Sequence, residues 1–283
     1  MKLFVKDALR RAPASVTLNY ALSKSQIAHI VGGLAICFAI QYGSLFYVNR
    51  FHKRFLSALD AKSARDFGVR CASSTWGVFC GVWAGAMLRK ALKTSTNTLS
   101  RMYASPPLDG CEELVCLAVG YFIYDTIVSY KYYGTQYFLH AVVSVVTFLL
   151  PQFMPKGFLH VYAANFLLWE ATLPFLAARY IMIKAGMGST RIFKIVELTG
   201  FGLWVLIRFV IGVPMMYLYF TDAYAMFKAG KASPLWLYAW YTFASAVLQL
   251  MNVIWLSAIV KALFSNKKGT VTPENFGGNK KEA

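Results

Sequence analysis

Four ionisable residues, Asp125, His140, Glu170 and Arg208, stand inside long apolar stretches of the sequence. A charge near the middle of a bilayer costs about 2.5–3.5 kcal/mol, so such groups face neighbouring helices or enclosed water. Asp125 and His140 have the chemistry of a general acid/base pair, in which the carboxylate orients an imidazole that exchanges protons near neutral pH. A buried hydrogen bond that fixes helix packing is the other reading of the same two residues. Glu170 and Arg208 are read as a structural ion pair. Gln249 and Asn252, three residues apart, are expected with Tyr121 and Tyr124 to contact a lipid. Glu197, Arg179 and Lys194 lie near the ends of apolar runs, where snorkelling accounts for them. His29, His52 and His160 are scattered. The cysteines, Cys37, Cys71, Cys80, Cys111 and Cys116, lack CxxC spacing and histidine partners. No metal site is therefore expected, and no cofactor is implied.

The scaffold for these groups follows from composition. Of 283 residues, 58% are apolar and 16% aromatic, which is above ordinary globular usage. A net charge of +17 would suit nucleic acid, but no DNA- or RNA-reading motif accompanies it. The lysines and arginines lie mainly between apolar runs, as on a membrane surface. A span needs about 20 apolar residues, because a helix rises about 1.5 Å per residue through about 30 Å of hydrocarbon. Seven runs approach that length: Ile27 to Val48, Phe67 to Leu88, Leu114 to Tyr133, Tyr137 to Met154, Phe158 to Ile183, Leu198 to Phe220 and Leu235 to Phe264. Lipid offers no partner to backbone amides, and these runs lack the alternation of barrel strands, so they are expected to be helical. The expected fold class is all-α, a polytopic membrane protein of about seven transmembrane helices. Residues 1–64 form an N-terminal segment with the first helix and a basic loop, 65–265 the main domain, and 266–283 a disordered basic tail.

Seven spans place the termini on opposite sides of the membrane. With the C-terminus in the cytosol, the cytosolic side carries fifteen Lys and Arg and the other side twelve, in the sense of the positive-inside rule. The sequence ends Lys280-Lys281-Glu282-Ala283, with lysines at the positions of a dilysine retrieval signal. Such a signal works in the cytosol and is read by coat machinery, so an endoplasmic-reticulum membrane location is expected. The basic, interrupted first 26 residues do not read as a cleaved secretory signal.

Depth along the spans sorts the buried charges. Asp125 stands six residues before the Lys131 to Gln136 loop and His140 four after it, about 9 and 6 Å from one membrane face. They are expected to meet. Gln249 and Asn252 fall toward the same side, whereas Glu170 and Arg208 share the midplane. Pro174 and Pro214 interrupt spans five and six and should kink them. With Gly81, Gly85, Gly200 and Gly202 they provide either a lipid-sized cavity or close helix packing. Tyr130, Tyr132, Tyr133, Trp236, Tyr238, Trp240 and Tyr241 cluster near span ends as an interfacial belt.

The run Gly120-Tyr121-Phe122-Ile123-Tyr124-Asp125, followed by Leu139-His140 opening an apolar helix, resembles the TLC-domain family. That family includes ceramide synthases, translocon-associated membrane proteins and lipid-homeostasis proteins. Trp169-Glu170-Ala171-Thr172-Leu173-Pro174-Phe175, Arg208 ahead of Pro214, and Met251-Asn252-Val253-Ile254-Trp255 are similar to elements of its TLC domain-containing transmembrane subgroup. The resemblance covers roughly residues 65–265 and implies a bundle of six of the helices. Ceramide synthases carry adjacent histidines where this chain has His140-Ala141, so their activity is not carried over. The resemblance implies a protein of membrane lipid homeostasis that binds a lipid or acyl chain, with membrane lipids as partners. Two alternatives remain open. One is an acyltransferase with His140 as base, for which acyl-CoA would be co-substrate; the other is a non-enzymatic membrane chaperone or cargo receptor. Oligomeric state is not encoded in any of these features.

Overall fold

The computed structural model describes residues 21–264. The dilysine Lys280-Lys281 and the basic tail lie outside the described residues, as do the first twenty positions. Among the described residues the chain is helical, and its only β-type pairing is an isolated bridge between Tyr103 and Phe158.

The first helix, α1 (Lys24–Phe51), starts at Ser23, whose hydroxyl accepts from the Gln26 amide while the Gln26 side chain accepts from the Ser23 amide. This reciprocal box satisfies two amides that a helix start otherwise leaves open. A short α2 (Lys53–Ser57) crosses the basic loop, and α3 (Ala61–Thr94) follows, capped by Asp60. At 34 residues α3 is about 50 Å long, more than the bilayer requires. A one-turn helix, α4 (Thr98–Met102), leads to α5 (Cys111–Tyr132), and a two-residue turn leads to α6 (Thr135–Leu149), which tightens into a 3₁₀ turn at Leu150–Phe153.

Spans five and six are broken where prolines were expected to act. The fifth consists of α7 (His160–Leu168), a 3₁₀ turn over Trp169–Thr172, and α8 (Leu173–Lys184) with Pro174 in its first turn. Proline is tolerated there because first-turn amides have no intrahelical acceptor. The sixth consists of α9 (Arg191–Val205), a π-helical segment at Leu206–Ile211, and α10 (Gly212–Lys228). The ring of Pro214 crowds the carbonyl four residues back, at Val210, and the widened turn ends beside it. The last helix is α11 (Leu235–Phe264).

Among the described residues six stretches are long and apolar enough to cross a membrane: Lys24–Phe51, Ala61–Thr94, Thr135–Phe153, His160–Lys184, Arg191–Lys228 and Leu235–Lys261. The expected third span is also a helix, the 22-residue α5, and 12 of its residues are buried. It is the inner helix of the bundle, packed between α1 and α6. The short turn to α6 makes the two antiparallel. The chain is thus an all-α polytopic membrane protein.

Helix α1, read from the sequence as part of a separate N-terminal segment, lies directly on α5. A Cβ at Gly120 would sit 2.1 Å from the Ile30 carbonyl oxygen, and one at Gly33 would sit 2.4 Å from that of Leu117. Only glycine allows backbones this close. Two of the glycines weighed as cavity formers serve packing instead: a Cβ at Gly81 would meet Ala171 at 2.6 Å, and one at Gly200 would meet Phe175 at 2.7 Å.

A candidate intramembrane polar site

The centre of the bundle is organised around Arg208. The π-helical segment carries this side chain inward, and it is 5% exposed. Its Nη1 donates to Asn252 Oδ1 on α11 at 2.7 Å, and its Nη2 donates to the Trp169 carbonyl oxygen at 3.2 Å. The guanidinium also lies over three indole rings, those of Trp169 and Trp204 at 5.4 Å and Trp255 at 5.9 Å. A planar, weakly hydrated cation suits such a cage, because ring faces carry partial negative charge. Asn252 is fully buried, and its Nδ2 donates to Gln249 Oε1 at 3.2 Å.

Glu170 sits on the 3₁₀ turn of span five, pressed against α3 at Gly77, where a Cβ would meet the Glu170 carbonyl oxygen at 2.6 Å. Its carboxylate is buried and interacts electrostatically with Arg208, Asp125 and Tyr121. The expected Glu170–Arg208 ion pair is not a direct bridge, because the guanidinium directs its hydrogen bonds to Asn252 and the Trp169 carbonyl. The two charges compensate one another across the cluster without touching.

The Asp125–His140 pair also differs from expectation. Asp125 Oδ1 accepts from Ser129 Oγ, one turn along the same helix, at 3.4 Å. The His140 ring meets Trp255 edge-on at 5.4 Å and Phe122 at 6.4 Å, and Arg208 is the charge with which it interacts. No hydrogen bond joins the two side chains among the described residues. Depth fixes only the height of a residue on a helix; here the rotational setting leaves Asp125 with Ser129 on its own helix and sets His140 against Trp255 and Phe122. The hydrogen-bonded part of the site is the run Arg208–Asn252–Gln249, and Glu170 and His140 interact electrostatically with Arg208, as Asp125 does with Glu170.

Several polar atoms of this cluster are buried without a hydrogen-bond partner: His140 Nδ1, Arg208 Nε, Gln249 Nε2 and Trp169 Nε1. Buried polar groups are normally satisfied, and these orphans, one of them the guanidinium's own Nε, call for a polar guest, either water or a ligand group. Tyr124, expected at this site, lies elsewhere: its hydroxyl donates to Gln41 Oε1 on α1 at 2.8 Å and secures the α1–α5 packing. No group of three or more His, Cys, Asp or Glu side chains that could hold a metal ion occurs among the described residues.

A second polar knot was not foreseen. Asp222 on α10 is 2% exposed and receives a hydrogen bond from Thr98, two from Arg101, and one from the Tyr162 hydroxyl. The Arg101 fork grips both carboxylate oxygens, at 2.5 and 2.7 Å, and the carboxylate in turn holds the Arg101 guanidinium above its ordinary proton affinity. From the sequence, Arg101 reads as one of the basic residues between spans. Asp222, two residues beyond the Leu198 to Phe220 run, was the available signal.

The model of the TLC domain matches residues 66–261. Among curated proteins the chain is similar to an uncharacterized TLC domain-containing protein of Schizosaccharomyces pombe, 25% identical over 159 residues that cover 53% of this chain and 51% of that protein. The chain thus matches about half the length of that relative. No solved structure matches it. The matched region contains Asp125, His140, Glu170, Arg208 and Asn252 together with the helices that carry them, and on this match the chain belongs to the TLC-domain family.

Proposed function

We propose that this protein acts in membrane lipid homeostasis by binding a lipid whose polar group enters the Arg208 cluster while its acyl chain lies between the kinked helices. The carrying observation is the set of orphaned polar atoms around Arg208 and Asn252 inside an otherwise apolar bundle. An apolar chain alone would leave those atoms unsatisfied; an ester, amide or headgroup oxygen would accept from them. An endoplasmic-reticulum membrane location with a cytosolic C-terminus belongs to the same proposal. It rests on Lys280 and Lys281, which coat machinery would read, and a tag fused after Ala283 should relocate the protein. The test of lipid binding is native mass spectrometry of protein purified in mild detergent. A co-purifying lipid is expected on the wild type and lost from Asn252→Leu; an equal lipid complement on both would refute the assignment.

One observation favours acyl transfer as a second reading. His140 Nδ1 has no partner, which leaves it open to take a proton from an acceptor hydroxyl or amine as that group attacks an acyl-CoA thioester, and to return it to the CoA thiolate that leaves as the C–S bond breaks. Labelled acyl-CoA incubated with the purified protein and mixed lipid acceptors decides this. Transfer that His140→Ala abolishes supports it, and equal transfer by the variant removes it. Rescue of a deletion strain's lipidome by His140→Ala would leave lipid binding as the activity. A stable protein partner that persists through these substitutions would instead favour the chaperone or cargo-receptor reading.

A further inference from the structure

At the membrane face where α1, α5 and span five begin, far along the bundle from Asp125 and His140, lies a cavity of about 430 Å³. Its chemistry is mixed in sign. Glu112 and Glu113 open α5, and Lys156 and His160 stand across from them. Lys156 Nζ is 3.3 Å from Glu112, whereas Glu113 is exposed and has no ion-pair partner among the described residues. Gln26 Nε2 donates to the Gln152 carbonyl oxygen at 3.4 Å and closes the floor.

His160 carries the argument. The side chain is 8% exposed and lines the cavity, and its Nε2 accepts from the Gly157 amide at 3.3 Å. That bond makes Nε2 the unprotonated nitrogen, so Nδ1 holds the hydrogen as a donor, and Nδ1 is buried without a partner. A donor enclosed in this way calls for an acceptor from a guest. Glu113, Lys156 and His160 all line the cavity, so an unpaired carboxylate, the Glu112-paired ammonium and the open Nδ1 donor border one space.

We propose that this cavity is a binding site for a zwitterionic phosphoethanolamine-type headgroup, its ammonium held by Glu113 and its phosphate by His160 Nδ1 and Lys156. A purely anionic headgroup would meet the unpaired Glu113 carboxylate, and a simple amine would leave His160 unsatisfied. The volume falls in the range of ligand pockets, about 300–1,000 Å³, and the position at a span boundary is where headgroups lie. The site stands apart from the Arg208 cluster and does not depend on the lipid reading of that cluster.

The full chain is reconstituted in nanodiscs of equal phosphatidylethanolamine and phosphatidylglycerol, and retained lipid is read by native mass spectrometry. Parallel titrations use water-soluble glycerophosphoethanolamine and glycerol 3-phosphate. Phosphatidylethanolamine should be retained at least tenfold over phosphatidylglycerol. His160→Gln keeps an acceptor for the Gly157 amide and removes the Nδ1 donor, so it should weaken retention about tenfold at unchanged thermal stability. Glu113→Gln, at an exposed position, should remove the preference between the two lipids. Binding of glycerophosphoethanolamine without retained lipid supports the same chemistry and assigns it to a soluble source. Equal retention of the two lipids by the wild type, or wild-type behaviour of both variants, overturns the proposal.

Discussion

Arg208 Nη1 donates to Asn252 Oδ1 at 2.7 Å, a single bond that ties span six to α11 in the middle of the bundle. The sixth span departs from regular α-helix at this same point. The π-helical segment at Leu206–Ile211 adds a residue to the turn, and the guanidinium it carries meets the Trp169 carbonyl on one side and α11 on the other. The same broken turn that Pro214 accompanies is thus the one that holds the charge.

Asn252→Leu is expected to destabilise the protein by about 2–3 kcal/mol, because a hydrogen bond to a buried charge is worth about 1.5–3 kcal/mol and its loss leaves the cation under-satisfied. Arg208→Met combined with Asn252→Leu removes both partners and should recover most of the loss. Thermal unfolding in detergent, followed with a thiol-reactive dye, reads this directly, since Cys37, Cys80, Cys111 and Cys116 are buried and become reactive on unfolding. A double variant as unstable as the sum of the two singles would show that the pair does not act as a unit.

The helices were legible because a run of about 20 apolar residues has few other solutions in lipid. The candidate residues were legible by type, since Asp125, His140, Glu170, Arg208 and Asn252 are polar exceptions in such runs. Their pairing was not. Counting residues from a loop gives height on a helix, but the direction of a side chain depends on packing, and the π-helical segment shifts the face that span six presents. Asp125 and His140 share a height and still point to different neighbours. Arg101 was hidden for another reason: a basic residue between spans reads as a surface charge until the fold brings Asp222 to it.

Asp222→Asn should destabilise the protein by about 3 kcal/mol, since it leaves Arg101 half-buried without the carboxylate that both arms of its fork engage. Thr98→Val removes one neutral donor from the same carboxylate and should cost about 1 kcal/mol. The same dye-monitored unfolding checks both. Equal effects of the two substitutions would mean that the bidentate bridge contributes little beyond an ordinary hydrogen bond.

Asp60 gives a pH dependence whose sign follows from its cap. Its carboxylate accepts from the Ser63 amide at 2.6 Å at the start of α3, and this bond holds it below its ordinary value of 3.8. A group with a lowered folded-state pKa contributes stability above its unfolded value and loses that contribution as pH falls through the folded one. The first turn of α3 should therefore keep full amide protection at pH 6 and lose it progressively below about pH 4. Asp60→Asn does not titrate, so its protection, corrected for intrinsic exchange, should stay level over the same range in hydrogen-exchange measurements. Level protection in the wild type would count against the cap.

The contact between α1 and α5 is tested by paired glycine substitutions. Gly120→Ala places a methyl 2.1 Å from the Ile30 carbonyl oxygen, where backbone rather than a flexible side chain must move. Forced separation of this kind costs about 1–3 kcal/mol. Gly32→Ala is the matched control, because nothing lies within 4 Å of the added Cβ. Cys37, 3% exposed on α1, reports the outcome at native temperature. Its thiol should react faster in Gly120→Ala and at the wild-type rate in Gly32→Ala. Since α1 precedes residues 66–261, faster reaction with the rest of the bundle intact would mean that this helix is held to the TLC domain by backbone proximity at Gly33 and Gly120. Equal rates in both variants would place the attachment instead in the Tyr124–Gln41 hydrogen bond and the side chains around it.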